Sequence, residues 1–166
     1  LSKRKNKSHK KDLLKNNFPE IDLVIVNFYP FEKNLNQKNN HFKIIENIDI
    51  GGPSLVRAAA KNYDDVAVIT SPNQYDNFII EINKNKGATS LSFRKKMSEE
   101  AFSETAYYDS IISNYFNNIN NNQFPKKKLL MAILLKNLDM EKILTKKVQF
   151  ILQKMNSILN KSMVKS

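Results

Sequence analysis

Cysteine is absent from all 166 residues, which excludes disulfides and thiolate chemistry and is compatible with a cytoplasmic setting. No apolar run approaches the roughly 20 residues that a membrane-spanning helix requires. The two histidines, His9 and His41, stand alone with no metal-ligand spacing around them, so no metal site is expected. The first residue is Leu1 rather than Met, so the true N-terminus is expected to lie upstream and nothing follows about a signal peptide. What is present, 41% hydrophobic and 10% aromatic side chains, suits a globular domain with a real core.

The formal net charge of +11 invites a nucleic-acid reading, but its distribution argues against one. Residues 1–17 carry seven Lys/Arg and one Asp, and residues 125–166 carry ten Lys and two acids. The intervening 107 residues hold ten basic and thirteen acidic side chains. That middle is mildly acidic and lacks the basic, aromatic-interleaved groove of a nucleic-acid domain.

Residues 1–15 read as a solvated loop leading into a short helix near residues 12–16. The run Asp22-Leu23-Val24-Ile25-Val26-Asn27-Phe28 has the continuous apolar, β-branched pattern of a strand buried on both faces of a parallel sheet. Pro30 ends it. Residues 34–40 read as a loop and residues 41–47 as helical. After a turn at residues 49–54, a short helix is predicted over residues 55–61, then a second buried strand at residues 66–70. Tyr75, Phe78, Ile79 and Ile82 recur at helical spacing over residues 72–85, and Gly87 stops that helix. A long helix is predicted from Ser90 to about Asn117, with Met97, Ala101, Phe102, Thr105, Tyr108, Ile112 and Tyr115 near one face, before an Asn-rich linker at residues 117–122. The alternation of strand and helix points to an α/β layer fold with a parallel sheet. Two strands are too few for a complete sheet, so further strands are expected upstream.

The most informative segment is Asp49-Ile50-Gly51-Gly52-Pro53-Ser54-Leu55-Val56-Arg57-Ala58-Ala59-Ala60-Lys61. Two glycines after a carboxylate let backbone approach a ligand, and the following helix offers unpaired N–H groups to an anion or oxyanion. The alanines permit close helix packing, and Arg57 and Lys61 fall one turn apart. Gly-Gly-Pro alone is more often an ordinary turn. It gains meaning beside Asn27-Phe28-Tyr29-Pro30-Phe31, where a strand ends on an Asn and a Tyr at the carboxyl edge of the sheet. Read individually, Tyr29 could equally be a core aromatic, Asp49 a turn former and Lys61 a solvated helix end.

The stretches IDLVIVNFYPFE, ENIDIGGPSLVRAAAKN, VAVIT and AFSETAYYDSIISNYF resemble, in order and spacing, consecutive blocks of the cyclohydrolase domain of the bifunctional AICAR transformylase/IMP cyclohydrolase enzymes. The resemblance covers residues 1 to about 124. It implies an incomplete three-layer parallel-sheet methylglyoxal-synthase-like domain, a cytoplasmic homodimer, and dehydrative closure of 5-formamidoimidazole-4-carboxamide ribotide to IMP without metal or redox cofactor. The parent enzyme would also formylate AICAR with 10-formyltetrahydrofolate. Carried over by position, the resemblance makes Tyr29, Asp49 and Lys61 catalytic, with Asp49 orienting the carboxamide or holding Lys61. Asn27, Gly51, Gly52 and Arg57 become substrate-binding residues, and the Tyr107-Tyr108 pair is left to core or dimer packing. A small-molecule purine ribotide is the implied partner, with neither nucleic acid nor membrane. Against this stands a non-catalytic nucleotide- or metabolite-binding regulatory domain of the same fold, and, on the tail alone, a basic nucleic-acid or membrane adaptor.

Two departures from the family pattern carry expectations of their own. The phosphate-binding loops and a Lys-Thr-Leu-His-Pro motif belong upstream of Leu1, so this stretch by itself is expected to fold poorly and turn over little substrate. Residues 125–166 should lead into the transformylase domain but are rich in Lys, Leu, Ile, Met and Asn. Read at face value, residues 129–159 form a basic amphipathic helix. Read one base out of frame, Met131-Ala132 and Met140-Glu141 each force a Gly, and permitted codons yield the family's linker RYGENPHQ. Lys126-Lys127-Lys128 would be a run of adenines, so residues from about Lys128 onward are expected to be a frameshift product.

Overall fold

The computed structural model describes residues 1–35, 40–122 and 125–127, together with Gln149 and Gln153. The chain divides into two compact units, Leu1–Leu130 and Met131–Ser166, and every element described here lies in the first. The expected helix at residues 129–159 and the frameshifted tail fall outside the described residues, Gln149 and Gln153 apart.

Helix α1 (Lys7–Asn16) starts earlier than its apolar pattern because Asn6 caps it, its side-chain oxygen accepting the N–H groups of Ser8 and His9. Strand β1 (Leu23–Ile25) follows, then the short helices α2 (Phe31–Leu35) and α3 (His41–Glu46), helix α4 (Gly51–Lys61) and strand β2 (Ala67–Ile69). A 3-10 turn (Pro72–Gln74) leads into α5 (Tyr75–Lys84), and the long α6 (Leu91–Ile119) completes the unit. Sequence pattern missed α2, a single turn started just after Pro30. It also placed the start of α4 too late: Gly51 to Ser54 form its first turn, where Pro53 is tolerated because its missing N–H would have no intrahelical acceptor. Helix α6 runs into the Asn tract and ends only at Asn120 and Asn121, the latter at φ 51°.

The two strands pair in parallel, Leu23 opposite Ala67, Val24 opposite Val68 and Ile25 opposite Ile69. The N–H of Val26 reaches Ile69 O at 3.0 Å and extends the ladder. Strand β2 is buried throughout, as its apolar run predicts. Strand β1 is not buried on both faces: Leu23 and Val24 are half-buried and Ile25 is 48% exposed. It is an edge strand among the described residues, paired with β2 on one side only.

Helices α4 and α6 pack on each other and on the sheet. Ala59, Ala60 and Ala101 are wholly buried, so backbones approach closely, and Ser98 Oγ donates to Ala60 O at 2.8 Å across the contact. These residues form one core with Val56, Val66, Val68, Ile69 and Met97. A second, aromatic cluster of Phe31, Ile44, Tyr108 and Ile111 sits around α2, α3 and the later part of α6. Helix α5 departs from its amphipathic pattern, because none of its residues is buried and only Phe78, Glu81 and Ile82 are half-covered. The architecture is α/β with a parallel sheet, as expected. No helix among the described residues is long and apolar enough to cross a membrane.

Candidate active site

Both strands run out at the same edge of the sheet, and the chain leaving each one turns over a cavity of about 400 Å³. Asn27, Phe28, Tyr29 and Pro30 line it from β1, and Thr70, Ser71 and Pro72 from β2. Glu104, Tyr107 and Tyr108 of α6 form the opposite wall. The carboxyl ends of parallel strands suit a ligand because backbone groups there have left the ladder and remain free to bind. Asn27 donates from its side-chain amide to Tyr75 Oη at 3.0 Å, which fixes the amide plane. Tyr29 is 56% exposed, so it is not a core aromatic, and its hydroxyl makes no hydrogen bond among the described residues.

Asp49 joins this strand end to the start of α4. One carboxylate oxygen accepts the Gly52 N–H at 2.8 Å and the other accepts the Tyr29 N–H at 3.3 Å. The first bond satisfies an orphan donor of the helix, as a capping residue does. The turn-forming role and the site role of Asp49 are therefore one geometry. Gly52 has to be glycine for a reason internal to the chain: an added Cβ would stand 2.5 Å from Asp49 Oδ2. The space at Gly52 is thus filled by Asp49 rather than left for a ligand. Gly51 differs, since a Cβ there would meet nothing within 4 Å. Its N–H lies at the positive end of α4, where developing negative charge is favoured.

Arg57 and Lys61 are exposed and lie farther along α4. The Arg57 guanidinium sits over the Phe102 ring at 5.6 Å. Lys61 is the last residue of the helix, about 15 Å in rise from Gly51, and makes no ion pair among the described residues. The expected contact between Asp49 and Lys61 is therefore not made within the chain, because the whole of α4 separates them. Tyr29, Asp49, Gly51 and Gly52 come together, Asn27 shares the cavity, and Arg57 and Lys61 stand apart.

Four residues of the site escaped sequence reasoning. The Tyr107 hydroxyl donates to Glu32 Oε2 at 2.9 Å across the cavity wall, and desolvation first, then Glu32, raises its pKa above the ordinary value near 10. Glu104 stands beside them, and partial desolvation lifts its carboxyl above the usual range. Tyr108 is 5% exposed, and its hydroxyl accepts the Asp49 N–H at 2.8 Å. Helical spacing placed Tyr108 on the inner face of α6, but no pattern in sequence reveals which loop its hydroxyl meets. Among the described residues no group of three or more His, Asp or Glu side chains is placed to hold a metal ion.

The solved crystal structure of ForH superposes on this chain with a TM-score of 0.57 at 25% identity, covering 74% of this chain and 62% of that one. This agrees with an α/β domain of the methylglyoxal-synthase-like kind. The bifunctional purine biosynthesis protein PurH of Prochlorococcus marinus strain MIT 9515 is 52% identical over 115 residues, which are 69% of this chain and 22% of that protein. The protein of the same name from Bradyrhizobium diazoefficiens is 45% identical over 117 residues, 70% of this chain and 22% of its own length. The chain thus spans about a fifth of the curated relatives that it matches. The sequence pattern of the AICARFT/IMPCHase bienzyme family matches residues 59–148, running from the alanines of α4 through β2 and α6. With the same blocks in the same order on the same α/β frame, this chain belongs to the AICARFT/IMPCHase bienzyme family.

Proposed function

We propose that the chain carries part of an IMP cyclohydrolase site, acting on 5-formamidoimidazole-4-carboxamide ribotide. The observation that supports this most is the hydrogen bond that ties the Asp49 carboxylate to the peptide of Tyr29, a residue lining the strand-edge cavity, in a chain of this family. The reaction joins a weakly nucleophilic carboxamide nitrogen to a formyl carbon and then loses water. An oxyanion develops on the formyl oxygen, so a hydrogen-bond donor placed there lowers the barrier, and a proton must reach the departing hydroxyl. Tyr29, exposed and unengaged at its hydroxyl, supplies the donor. Asp49, whose carboxylate is already oriented by two backbone N–H groups, uses its remaining lone pairs to orient the carboxamide. Asn27 and the Gly51 N–H contact the base, Gly52 contributes by holding Asp49, and Arg57 adds positive charge on the exposed face of α4. Lys61 is assigned to proton transfer by the resemblance.

The same reading makes the intact protein a cytoplasmic homodimer. Its transformylase step, with 10-formyltetrahydrofolate as co-substrate, would belong to the larger part of the relatives' length that this chain does not span. Residues from about Lys128 onward are read as out of frame. The family match continues past that point to residue 148, so resequencing the coding DNA through the Lys126–Lys128 codons decides between a slipped adenine run and a genuine tail. The function is tested by assaying the product of the whole reading frame for cyclisation, wild type beside Lys61→Ala. Wild-type turnover lost in the variant supports the assignment. Turnover unchanged in Lys61→Ala removes Lys61 from catalysis, and binding of IMP without any turnover favours the regulatory domain.

A further inference from the structure

The loop between α3 and α4, residues 47–50, has no strand or helix partner of its own, yet it must present the Asp49 carboxylate to two N–H groups at once. Its backbone is fixed at one point by a side chain from a distant part of the chain. The Asp49 N–H donates to Tyr108 Oη at 2.8 Å, and the Tyr108 hydroxyl points its own proton toward Asn47 O at a long 3.5 Å. Tyr108 itself has little freedom. Its ring is wedged against Phe28, with centroids 5.1 Å apart, and meets Phe31 edge-on at 6.2 Å. A buried tyrosine hydroxyl needs a hydrogen-bond partner, and here it finds two on one loop.

We infer that Tyr108 is a positioning residue of the site: its hydroxyl sets where the Asp49 backbone stands, and through the Asp49 carboxylate it sets the Tyr29 peptide. The inference rests on the proposed cyclohydrolase reading. This one bond and the two that follow it tie the loop to α6 and to the end of β1, both distant in sequence, and to the adjoining first turn of α4. Packing alone would require only the ring, because the contacts with Phe28 and Phe31 are made by carbon atoms. The hydroxyl is the part that packing does not explain. Desolvation keeps the Tyr108 phenol above its ordinary pKa, so it remains a neutral O–H that accepts from Asp49 while donating toward Asn47.

The test uses the product of the whole reading frame and compares wild type, Tyr108→Phe, and Ile44→Val. Ile44 belongs to the same cluster but does not line the cavity. Cyclisation kinetics and amide hydrogen exchange at Asp49 are measured in each. Tyr108→Phe is expected to lower kcat by about tenfold, with KM within about twofold. Its Asp49 amide should exchange at least about tenfold faster, since the N–H loses its acceptor, while α6 amides stay protected. Ile44→Val should lower Tm and leave kcat and Asp49 exchange near wild type. Unchanged Asp49 exchange in Tyr108→Phe, unchanged kcat, or an equal kcat loss in Ile44→Val each overturns the inference. A wild type that does not cyclise sinks the cyclohydrolase reading itself, and the positioning role falls with it. That failure is told apart because it is seen before any variant is made.

Discussion

The two edges of one small sheet carry two cavities, and the larger is not the better site. At the amino edge, about 530 Å³ is bounded by Arg4, Asp22, Asp65, Thr89 and Arg94. Those arginines are already engaged. The Arg4 backbone N–H donates to Asp65, and its guanidinium pairs with Asp22 and Glu20. The Arg94 guanidinium donates to the carbonyls of Tyr63, Asp64 and Thr89. At the carboxyl edge, about 400 Å³ is bounded by side chains with capacity to spare, Tyr29 foremost. The amino edge is a strut that holds the terminal segment against the sheet, whereas the carboxyl edge is open chemistry. A cavity's worth as a site thus depends on the hydrogen-bonding capacity left over, not on volume.

The largest effect that could break this contrast is expected from Asp49→Asn. It keeps the side-chain shape but removes charge and one acceptor pattern, and turnover should fall about 10²–10⁴-fold. Steady-state cyclisation rates measure it, and a loss below about threefold would remove Asp49 from the mechanism. Gly52→Ala comes next, since its Cβ must displace the Asp49 carboxylate. A shift of about 1 Å is expected to cost up to about 10²-fold in kcat, with a smaller change in KM. At the amino edge, Arg4→Ala should lower stability by about 1 kcal/mol in urea unfolding, because its ion pairs are largely solvent-exposed. Turnover per folded molecule should stay within about twofold; a loss as large as that of Asp49→Asn would erase the distinction between the edges.

The smallest effects are two opposite pH dependences. Glu81 accepts the Ser90 N–H at 2.7 Å, and the bonds with Ser90 lower its pKa below about 4.5. Its contribution to stability is present above the unfolded value and is lost as pH falls through the folded one. Glu104, at the carboxyl-edge cavity, is raised above about 4.5 by desolvation. For it the unfolded chain releases its proton first, so stability is lost as pH rises from 4.5 through the folded value. Glu104→Gln should therefore raise Tm slightly at pH 7 and not at pH 4, while Glu81→Gln should lower Tm at pH 7 and not at low pH. Thermal melts across pH 3–8 check both, and a same-sign response from the two variants would contradict the assignment.

Much of this was legible in residue pattern, and the misses have identifiable causes. The strand at residues 67–69 announced itself because a run buried on every side must be apolar at every position. The same logic overreached at β1, whose apolar run is only half-covered among the described residues. Helix α1 was read too short because Asn6 is a polar cap outside the hydrophobic rhythm. The interior of α6 matched its predicted face at Met97, Ala101, Thr105 and Tyr108, while Phe102 turned outward.

The sequence by itself determined the α/β class, the core alanines of α4 and the family, because periodicity and long matching blocks survive without coordinates. It also marked Tyr29 and Asp49 as chemistry at a strand end and in the turn ahead of a helix. Only the tertiary structure decided that the two touch, that Gly52 is glycine on account of Asp49, and that Tyr108 holds the loop between them. It alone placed Lys61 a helix length away. The reason is physical: periodicity reports which side of an element is apolar, but a hydrogen bond between residues 49 and 108 depends on how the elements pack. No local pattern encodes that packing.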